Sequence, residues 1–287
     1  MPELTDLSYV RALCEKYDFA LSKGFGQNFI VNPGLPPKIV DASGVDKRYG
    51  VLEIGPGIGA LSHELCERAG KVVAVELDKT LLPILDETMA RFDNFEVVSA
   101  DILKTDIPAL VHEKFAGLTP IVCANLPYNI TTPAITALIE SKCFESITVL
   151  VQKEVAERLC AAPGTSAYGA FSVFMQYYTE PEYLFAVPRE CFEPQPKVTS
   201  AVLRAVVRRE PPVEVEDEKF FFRVVYAAFA LRRKTLVNSL MTAFGSQLTK
   251  EQVTQAVTSC GLEANIRGER LGLSEFAALS AEIAALL

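Results

Sequence analysis

Hydrophobic positions along the chain gather into short, nearly uninterrupted runs separated by longer stretches of mixed character. The runs "GVLEIG" (50–55), "KVVAVEL" (71–77), "FEVVSAD" (95–101), "PIVCANL" (120–126) and "SITVLVQ" (146–152) are rich in β-branched and other apolar residues and recur every 20 to 26 residues. Runs of this length fit strands covered on both faces of a sheet. Between them, "ALSHELCERAG" (60–70) and "KTLLPILDETMARF" (79–92) read as helices, with Gly70 placed to stop the first. Strand, helix, strand at this interval predicts right-handed βαβ units and a mostly parallel sheet with helices on both faces.

The pattern continues with "KEVAERLCA" as a helix, a Gly/Pro/Ser loop at 163–166, another helix near 168–178, and "VTSAVLRAVVR" (198–208) as a late strand. "REPPVEVEDEK" (209–219) holds two prolines and five acids and reads as a linker. Beyond it, "FFFRVVYAAFALRRKTLVNSLMTAF" (220–244) lacks Gly and Pro and is expected to be one long helix. Thr249 and Gln252 form a capping box for a helix over 249–260, with Gly261 as its stop. A last helix spans 274–287 with Ser274 as N-cap. The expected architecture is an α/β domain over 1–208, a linker over 209–219, and a small all-helical domain over 220–287.

Composition narrows the class. With 49% hydrophobic residues a sizeable core is expected and global disorder is excluded. No apolar run reaches the length of a membrane span and the start lacks a signal pattern, so a soluble cytoplasmic protein, with no membrane partner, is expected. Seven cysteines without a C-x-x-C pair argue against a disulfide framework, and most sit in apolar runs as small hydrophobes. His63 and His112, the two histidines, give little material for a zinc site or a His-based triad, so no metal is expected. The net charge is −8, yet residues 219–250 carry six basic side chains and no acid, leaving −14 on the remainder. That segment includes Arg223, Arg232, Arg233 and Lys234 and is a local footprint to which phosphates respond, although any one of these could instead belong to a solvated face.

The candidate chemistry lies at the strand ends. "EIGPGIGA" (53–60) supplies Gly55, Gly57 and Ala60 in the spacing of a dinucleotide fingerprint; alone it is compatible with a nicotinamide cofactor, a flavin, S-adenosylmethionine, or an unliganded tight turn. Glu76 ends the second run, 21 residues after Gly55, where an acid can accept from ribose hydroxyls. Asp101 ends the third, where a carboxylate can accept from an adenine amine. A glycine turn and two acids at successive strand ends make one crevice, which favours S-adenosylmethionine over NAD. The fourth run ends in "NLPY" (125–128), which read by itself could be a plain turn. Its chemistry suits an amine. The exocyclic nitrogen of adenine is a poor nucleophile that must develop positive charge to attack a methyl group. The side-chain oxygen of Asn125 and the backbone carbonyl of Leu126 can accept its hydrogens. Pro127 stiffens the turn, and Tyr128 offers a flat face for a purine.

These motifs resemble a known family, the small-subunit ribosomal RNA adenine N6-dimethyltransferases of the KsgA type. The resemblance runs through "FGQNFIVNP" (25–33), "EIGPGIGAL", "VELD", "SADIL", "NLPYNITTP", "VQKEVAERL", "AYGAFSV", "FEPQPKVTSAV" (192–202) and "LRRKTLVNSL" (231–240). It implies a Rossmann-like methyltransferase sheet with a helical C-terminal domain, and S-adenosylmethionine as cofactor. It implies dimethylation of two adjacent adenosines in a hairpin loop near the 3′ end of small-subunit rRNA, with a role in subunit biogenesis. The expected partner is an immature 30S-type subunit, met by a monomeric enzyme. Carried over by position, Asn28 and Ile30 belong to a cofactor-covering segment, with Ile30 replacing a more usual Leu. Gly55 and Gly57 contact the cofactor, Glu76 its ribose and Asp101 its adenine. Asn125 touches both cofactor and target amine, and Tyr128 and Phe192 flank the target base. Three alternatives stay open: a relative acting on large-subunit rRNA, a non-catalytic ribosome-assembly factor, and a nicotinamide oxidoreductase, which lacks a suitable hydride-relay histidine.

Overall fold

The computed structural model describes residues 4–19 and 28–287. In chain order, α1 (Leu7–Lys16), the short β1 (Phe29–Ile30) and α2 (Leu35–Ser43) precede β2 (Tyr49–Ile54). Then come α3 (Ala60–Arg68), β3 (Lys71–Glu76), α4 (Leu82–Thr88), β4 (Phe95–Ser99), α5 (Ile107–Lys114), β5 (Thr119–Asn125), α6 (Thr131–Glu140) and β6 (Ser146–Gln152). They are followed by α7 (Lys153–Leu159), α8 (Ala170–Tyr178), β7 (Thr179–Val187), β8 (Phe192–Glu193) and β9 (Ser200–Val207). The chain continues with α9 (Glu218–Phe229), α10 (Leu236–Phe244), α11 (Lys250–Ser259) and α12 (Leu273–Ala284).

The chain divides into two compact units, residues 1–156 with 182–207 and residues 157–181 with 208–287. The first is built on a seven-stranded sheet in the order β4-β3-β2-β5-β6-β9-β7. β2 pairs in parallel with both β3 and β5, β3 with β4, and β5 with β6, while β9 runs antiparallel to β6. The five runs of the sequence pattern are β2 to β6, each within two residues of its expected bounds. Their central residues, such as Leu52, Val73, Val122 and Val149, are fully buried, as strands covered on both faces require. From β2 the chain winds outward to β3 and β4, then returns to β5 on the other side. The topological switch point therefore lies between the carboxyl ends of β2 and β5, where open sheets bind ligands.

Gly70 is indeed just past α3, but not for a left-handed cap: a Cβ there would lie 2.5 Å from the Lys47 carbonyl oxygen. The expected 79–92 helix is a 3₁₀ turn at Lys79–Leu81 followed by α4, with the Asp78 carboxylate accepting from Thr80 N–H as its cap.

The second unit begins within one residue of the expected 208/209 boundary, but it also takes in residues 157–181, which were expected in the α/β domain. α8 belongs with the C-terminal helices, because its aromatic face packs into theirs. Phe174 lies 5.7 Å from Phe222, Tyr177 lies 5.2 Å from Phe221, and Tyr178 stacks on Phe222 at 5.6 Å between centroids. The Tyr178 hydroxyl donates to Glu218 Oε1 at 2.5 Å, and the buried Tyr168 hydroxyl to the Leu271 carbonyl at 3.0 Å. Aromatic pairs of this kind each add about 0.5–1.5 kcal/mol beyond area burial, so they decide where α8 belongs more strongly than chain order does.

The expected single helix over 220–244 is two helices, α9 and α10. Thr235 caps α10 by accepting from Asn238 N–H, and the Ser239 hydroxyl both donates to the Leu231 carbonyl and accepts from Leu231 N–H. These bonds replace the helical ladder across 230–235. α11 has the expected Thr249/Gln252 capping box, and Gly261 takes φ +74° after it. α12 starts one residue early: Gly272 is the cap, its N–H donating to Glu275 Oε2 at 3.0 Å, and Ser274 lies inside the helix.

Candidate active site

A cleft opens at the switch point of the first unit. It holds about 1130 Å³ with its open mouth included, and its walls come from β1 and the carboxyl ends of β2, β3, β4 and β5. Asn28, Ile30, Gly55, Gly57, Glu76, Asp101, Asn125, Leu126 and Tyr128, nine of the ten cofactor and base residues expected from sequence, all line it.

The glycine turn is a backbone requirement. Gly55, Gly57 and Gly59 have φ of +66°, +60° and +92°, the left-handed region that costs an L-residue about 1–2 kcal/mol. Space is equally short. A Cβ on Gly55 would sit 3.4 Å from the Pro127 ring, and one on Gly57 would sit 3.1 Å from the Phe29 ring. The first strand-end turn thus lies against the "NLPY" turn.

Glu76 is buried, and its Oε1 accepts from Asp78 N–H at 2.8 Å. Burial pushes its carboxyl up to about 7, opposed by backbone N–H bonds from Asp78, Leu77 and Gly57. One carboxylate therefore ties the end of β3 to the glycine turn. Asp101 caps the next 3₁₀ turn, accepting from Leu103 N–H at 3.0 Å, with Lys104 Nζ 3.5 Å away. Leu77 and Leu103, 53% and 41% exposed, add an apolar rim between the two acids.

At the "NLPY" turn, Asn125 Nδ2 donates to the Asn28 carbonyl at 3.2 Å. That bond commits the amide nitrogen and leaves Oδ1 as the acceptor. Among the described residues no donor bonds to Asn125 Oδ1 or to the Leu126 carbonyl. The Thr131 hydroxyl reaches both the Pro127 and Tyr128 carbonyls at 3.3 Å and holds the turn in place. The Tyr128 hydroxyl shares a 2.5 Å hydrogen bond with Ser200 Oγ, and burial raises its phenol above the ordinary value. Ser200 itself is fully buried and fixes the ring from the far side of β6, where it pairs with Gln152.

Phe192 departs from expectation. It is 1% exposed and does not line the cleft. Its backbone pairs with Ile30 in the β1–β8 ladder, which turns the ring into the core with Leu35, Val187 and Val202. As packed it positions β1 over the cleft and presents no face to a base. Of the segment "FGQNFIVNP", residues 25–27 lie outside the described residues.

Sequence reasoning passed over Glu53. It lies in β2, is 1% exposed, lines the cleft, and accepts from the Ser62 hydroxyl at 2.6 Å. Burial, with the Glu76 charge adding, pushes its carboxyl up to about 8 against the Ser62 bond. The signal was present in "GVLEIG": an acid between Leu52 and Ile54 in a run with no polar alternation. Ser200 was passed over as well, and no local signal marked it.

In the second unit the expected basic helix is the turn between α9 and α10. Arg233 and Lys234 are exposed there, with no ion pair among the described residues. Arg232 is exposed but donates to the Ser166 carbonyl. Arg223 is spent on structure: its guanidinium lies 4.6 Å over the Phe244 ring and donates to the Ala243 carbonyl at 3.3 Å.

A mostly parallel sheet with a glycine turn, two acids and the "NLPY" turn around one switch-point cleft defines the class of S-adenosylmethionine-dependent methyltransferases. The comparisons carry the assignment further. The family model described as ribosomal RNA adenine dimethylase matches residues 19–282, and the chain belongs to that family. A Geobacillus protein named ribosomal RNA small subunit methyltransferase A is 48% identical over 273 residues, 94% of each chain. The protein of that name from Streptococcus gordonii is 49% identical over 280 residues, 96% of this chain and 97% of its own. Among solved structures, a dimethyladenosine transferase from Plasmodium falciparum shares the fold at a TM-score of 0.74 and 24% identity, covering 90% of this chain and 98% of its own. The 23S rRNA methyltransferase ErmE does so at 0.69 and 24%, covering 90% and 100%.

Proposed function

We propose that the chain dimethylates N6 of adenosines in small-subunit ribosomal RNA, and that the target is a pair of adjacent adenosines in a hairpin loop near its 3′ end. The observation that carries this reading is the pair of open acceptors, Asn125 Oδ1 and the Leu126 carbonyl, on a turn packed against the glycine loop. Relatives at 48% and 49% identity with small-subunit names support the choice of subunit over the large-subunit alternative.

The cleft fits the donor. Its lining includes three carboxyls and no Lys or Arg among the described residues, which suits a cation, and its glycine turn brings bare backbone at positive φ to the cleft wall. S-adenosylmethionine supplies an electrophilic methyl group. The chain's part is to position and to stabilise charge. Glu76 and Asp101 orient the adenosyl part, and Asn28 and Ile30 cover it. Asn125 and Leu126 accept the two N6 hydrogens as the nitrogen turns tetrahedral and positive. Tyr128, locked by Ser200, stacks on the ring. After transfer the N6 proton leaves to water, and the once-methylated amine keeps one N–H for the second round. A loop adenosine is cheaper to swing out of its stack than one in a duplex. Arg233 and Lys234, with Arg232, supply contacts to RNA phosphates. A monomer acting on an immature 30S-type particle fits this reading, as does a cytoplasmic location.

The test is transfer of labelled methyl from S-adenosylmethionine to undermethylated small and large subunits, followed by nucleoside analysis. The expected product is N6,N6-dimethyladenosine in the small subunit only. Asn125→Ala should lose about a hundredfold or more in transfer while still binding the donor. Full activity in that variant, or label only in the large subunit, overturns the reading.

A further inference from the structure

A primary amide can turn either of two faces to a ligand. With Oδ1 toward the cleft, Asn125 accepts an amine hydrogen; with Nδ2 there, it sets one donor against another. The choice is made by the Asn28 carbonyl, which accepts from Asn125 Nδ2 at 3.2 Å and so leaves the oxygen for the cleft. That carbonyl stands at the entrance to β1, and β1 is two residues long. A strand so short has no hold of its own. It is held by β8, in an antiparallel ladder with Phe29 opposite Glu193 and Ile30 opposite Phe192. One further bond extends the ladder, from Val31 N–H to the Cys191 carbonyl at 2.8 Å.

β8 is also only two residues long, so the ladder must be anchored from outside. Two side chains of β8 do this. Glu193 pairs with Arg11 of α1 at 3.3 Å, but Arg11 is largely exposed and such pairs contribute little. Phe192 is 1% exposed, in the same core cluster as Leu35 of α2, Val187 of β7 and Val202 of β9, and the burial of an aromatic ring outweighs an exposed ion pair. We infer that Phe192 is a positioning residue for methyl transfer: its buried ring anchors β8, β8 holds β1, and the Asn28 carbonyl at the start of β1 turns the Asn125 amide so that its oxygen faces the target amine. The inference rests on the amine-acceptor reading of Asn125 above. Phe192 touches neither donor nor base, and no bond is made or broken at it.

An anchor and a stacking partner make different demands. A ring that stacks on a base must be aromatic, whereas an anchor needs only an apolar side chain of similar bulk. An anchor that works through Asn125 also loses its effect on the rate once the amide is removed, because there is then no orientation left to set. A stacking face would keep its effect in that background. Phe29 and Ile30 line the cleft, so loosening β1 also weakens its hold on the donor. Saturating donor separates that loss from the acceptor's.

The test is single-turnover methyl transfer by the full chain, from saturating S-adenosylmethionine to undermethylated small subunits. Phe192→Ala should slow transfer about tenfold to a hundredfold. Phe192→Leu should restore it to within about threefold of wild type. In an Asn125→Ala background, Phe192→Ala should slow transfer by less than about threefold more. Full activity in Phe192→Ala overturns the inference. So does a Phe192→Leu protein as slow as Phe192→Ala, or a Phe192→Ala effect that persists undiminished beside Asn125→Ala. Should Phe192→Ala fail to fold, Phe192→Leu decides alone: transfer within about threefold of wild type supports the anchor, and a larger loss overturns it. The two readings fail differently. Full activity in Asn125→Ala fells both, while an impaired Asn125→Ala with additive effects fells the role of Phe192 and leaves the amine grip standing.

Discussion

Replacing Glu53 by Gln in the ligand-free protein should change how stability depends on pH. In the unfolded chain the carboxyl titrates near its usual 4.5, and in the folded one near 8. Between those values the native state holds a proton that the unfolded chain has released. Stability is therefore undiminished below about pH 4.5, falls as pH rises through the window, and has lost the full increment above 8. The gap is worth up to about 5 kcal/mol, a large part of the 5–15 kcal/mol that holds a typical domain together. Glu76, raised to about 7, acts in the same direction over a narrower window and remains in the variant. Urea unfolding at pH 5, 6, 7, 8 and 9 reads the difference. Wild type and E53Q should nearly coincide at pH 5, and the variant should lead by about 3–5 kcal/mol at pH 9. Parallel profiles across that range would refute the reasoning, since they would mean that Glu53 is either solvated or compensated by a partner.

Gly57→Ala forces an L-residue into φ +60° and brings a Cβ within 3.1 Å of the Phe29 ring. It should cost about 1–3 kcal/mol in thermal unfolding and weaken donor binding about tenfold in calorimetry, because Phe29 also lines the cleft. Ser200→Ala removes the 2.5 Å bond that holds the Tyr128 hydroxyl. It should lower kcat about tenfold with donor Kd unchanged, and a loss of donor affinity instead would show a merely structural role. Arg233→Ala with Lys234→Ala should weaken binding to small-subunit RNA and reduce the slope of log affinity against log salt by about 2, while Arg223→Ala, already engaged by Phe244 and Ala243, should leave that slope unchanged and lower the melting temperature.

What could be read from the chain, and what could not, follows from how far away each determinant lies. The strands β2 to β6 were legible because a β-branched run and the glycine or proline that ends it sit within ten residues of each other. The same is true of Gly55, Glu76, Asp101 and Asn125: each lies at the carboxyl end of a parallel strand, and in a sheet of this topology such an end faces the switch-point crevice. Where a role depends on what covers a residue from elsewhere in the chain, local pattern was silent or misleading. Nothing in "LRRKTLVNSL" forbids a continuous helix, and the break comes from Thr235 and Ser239 offering the backbone better partners. Phe192 looked like an aromatic face for a base until its pairing with Ile30, 162 residues earlier, turned it inward. Glu53 is the sharpest case. It sits one residue from the end of β2 inside an apolar run, where an acid should be excluded, and it has Ser62 on α3 as its partner. A carboxyl that costs several kcal/mol at neutral to alkaline pH, in the lining of the switch-point cleft, violates local consistency in the way functional sites do. Its stability cost arises because no cation faces it among the described residues, so any substitution that supplies a permanent cation beside Glu53 should remove that cost.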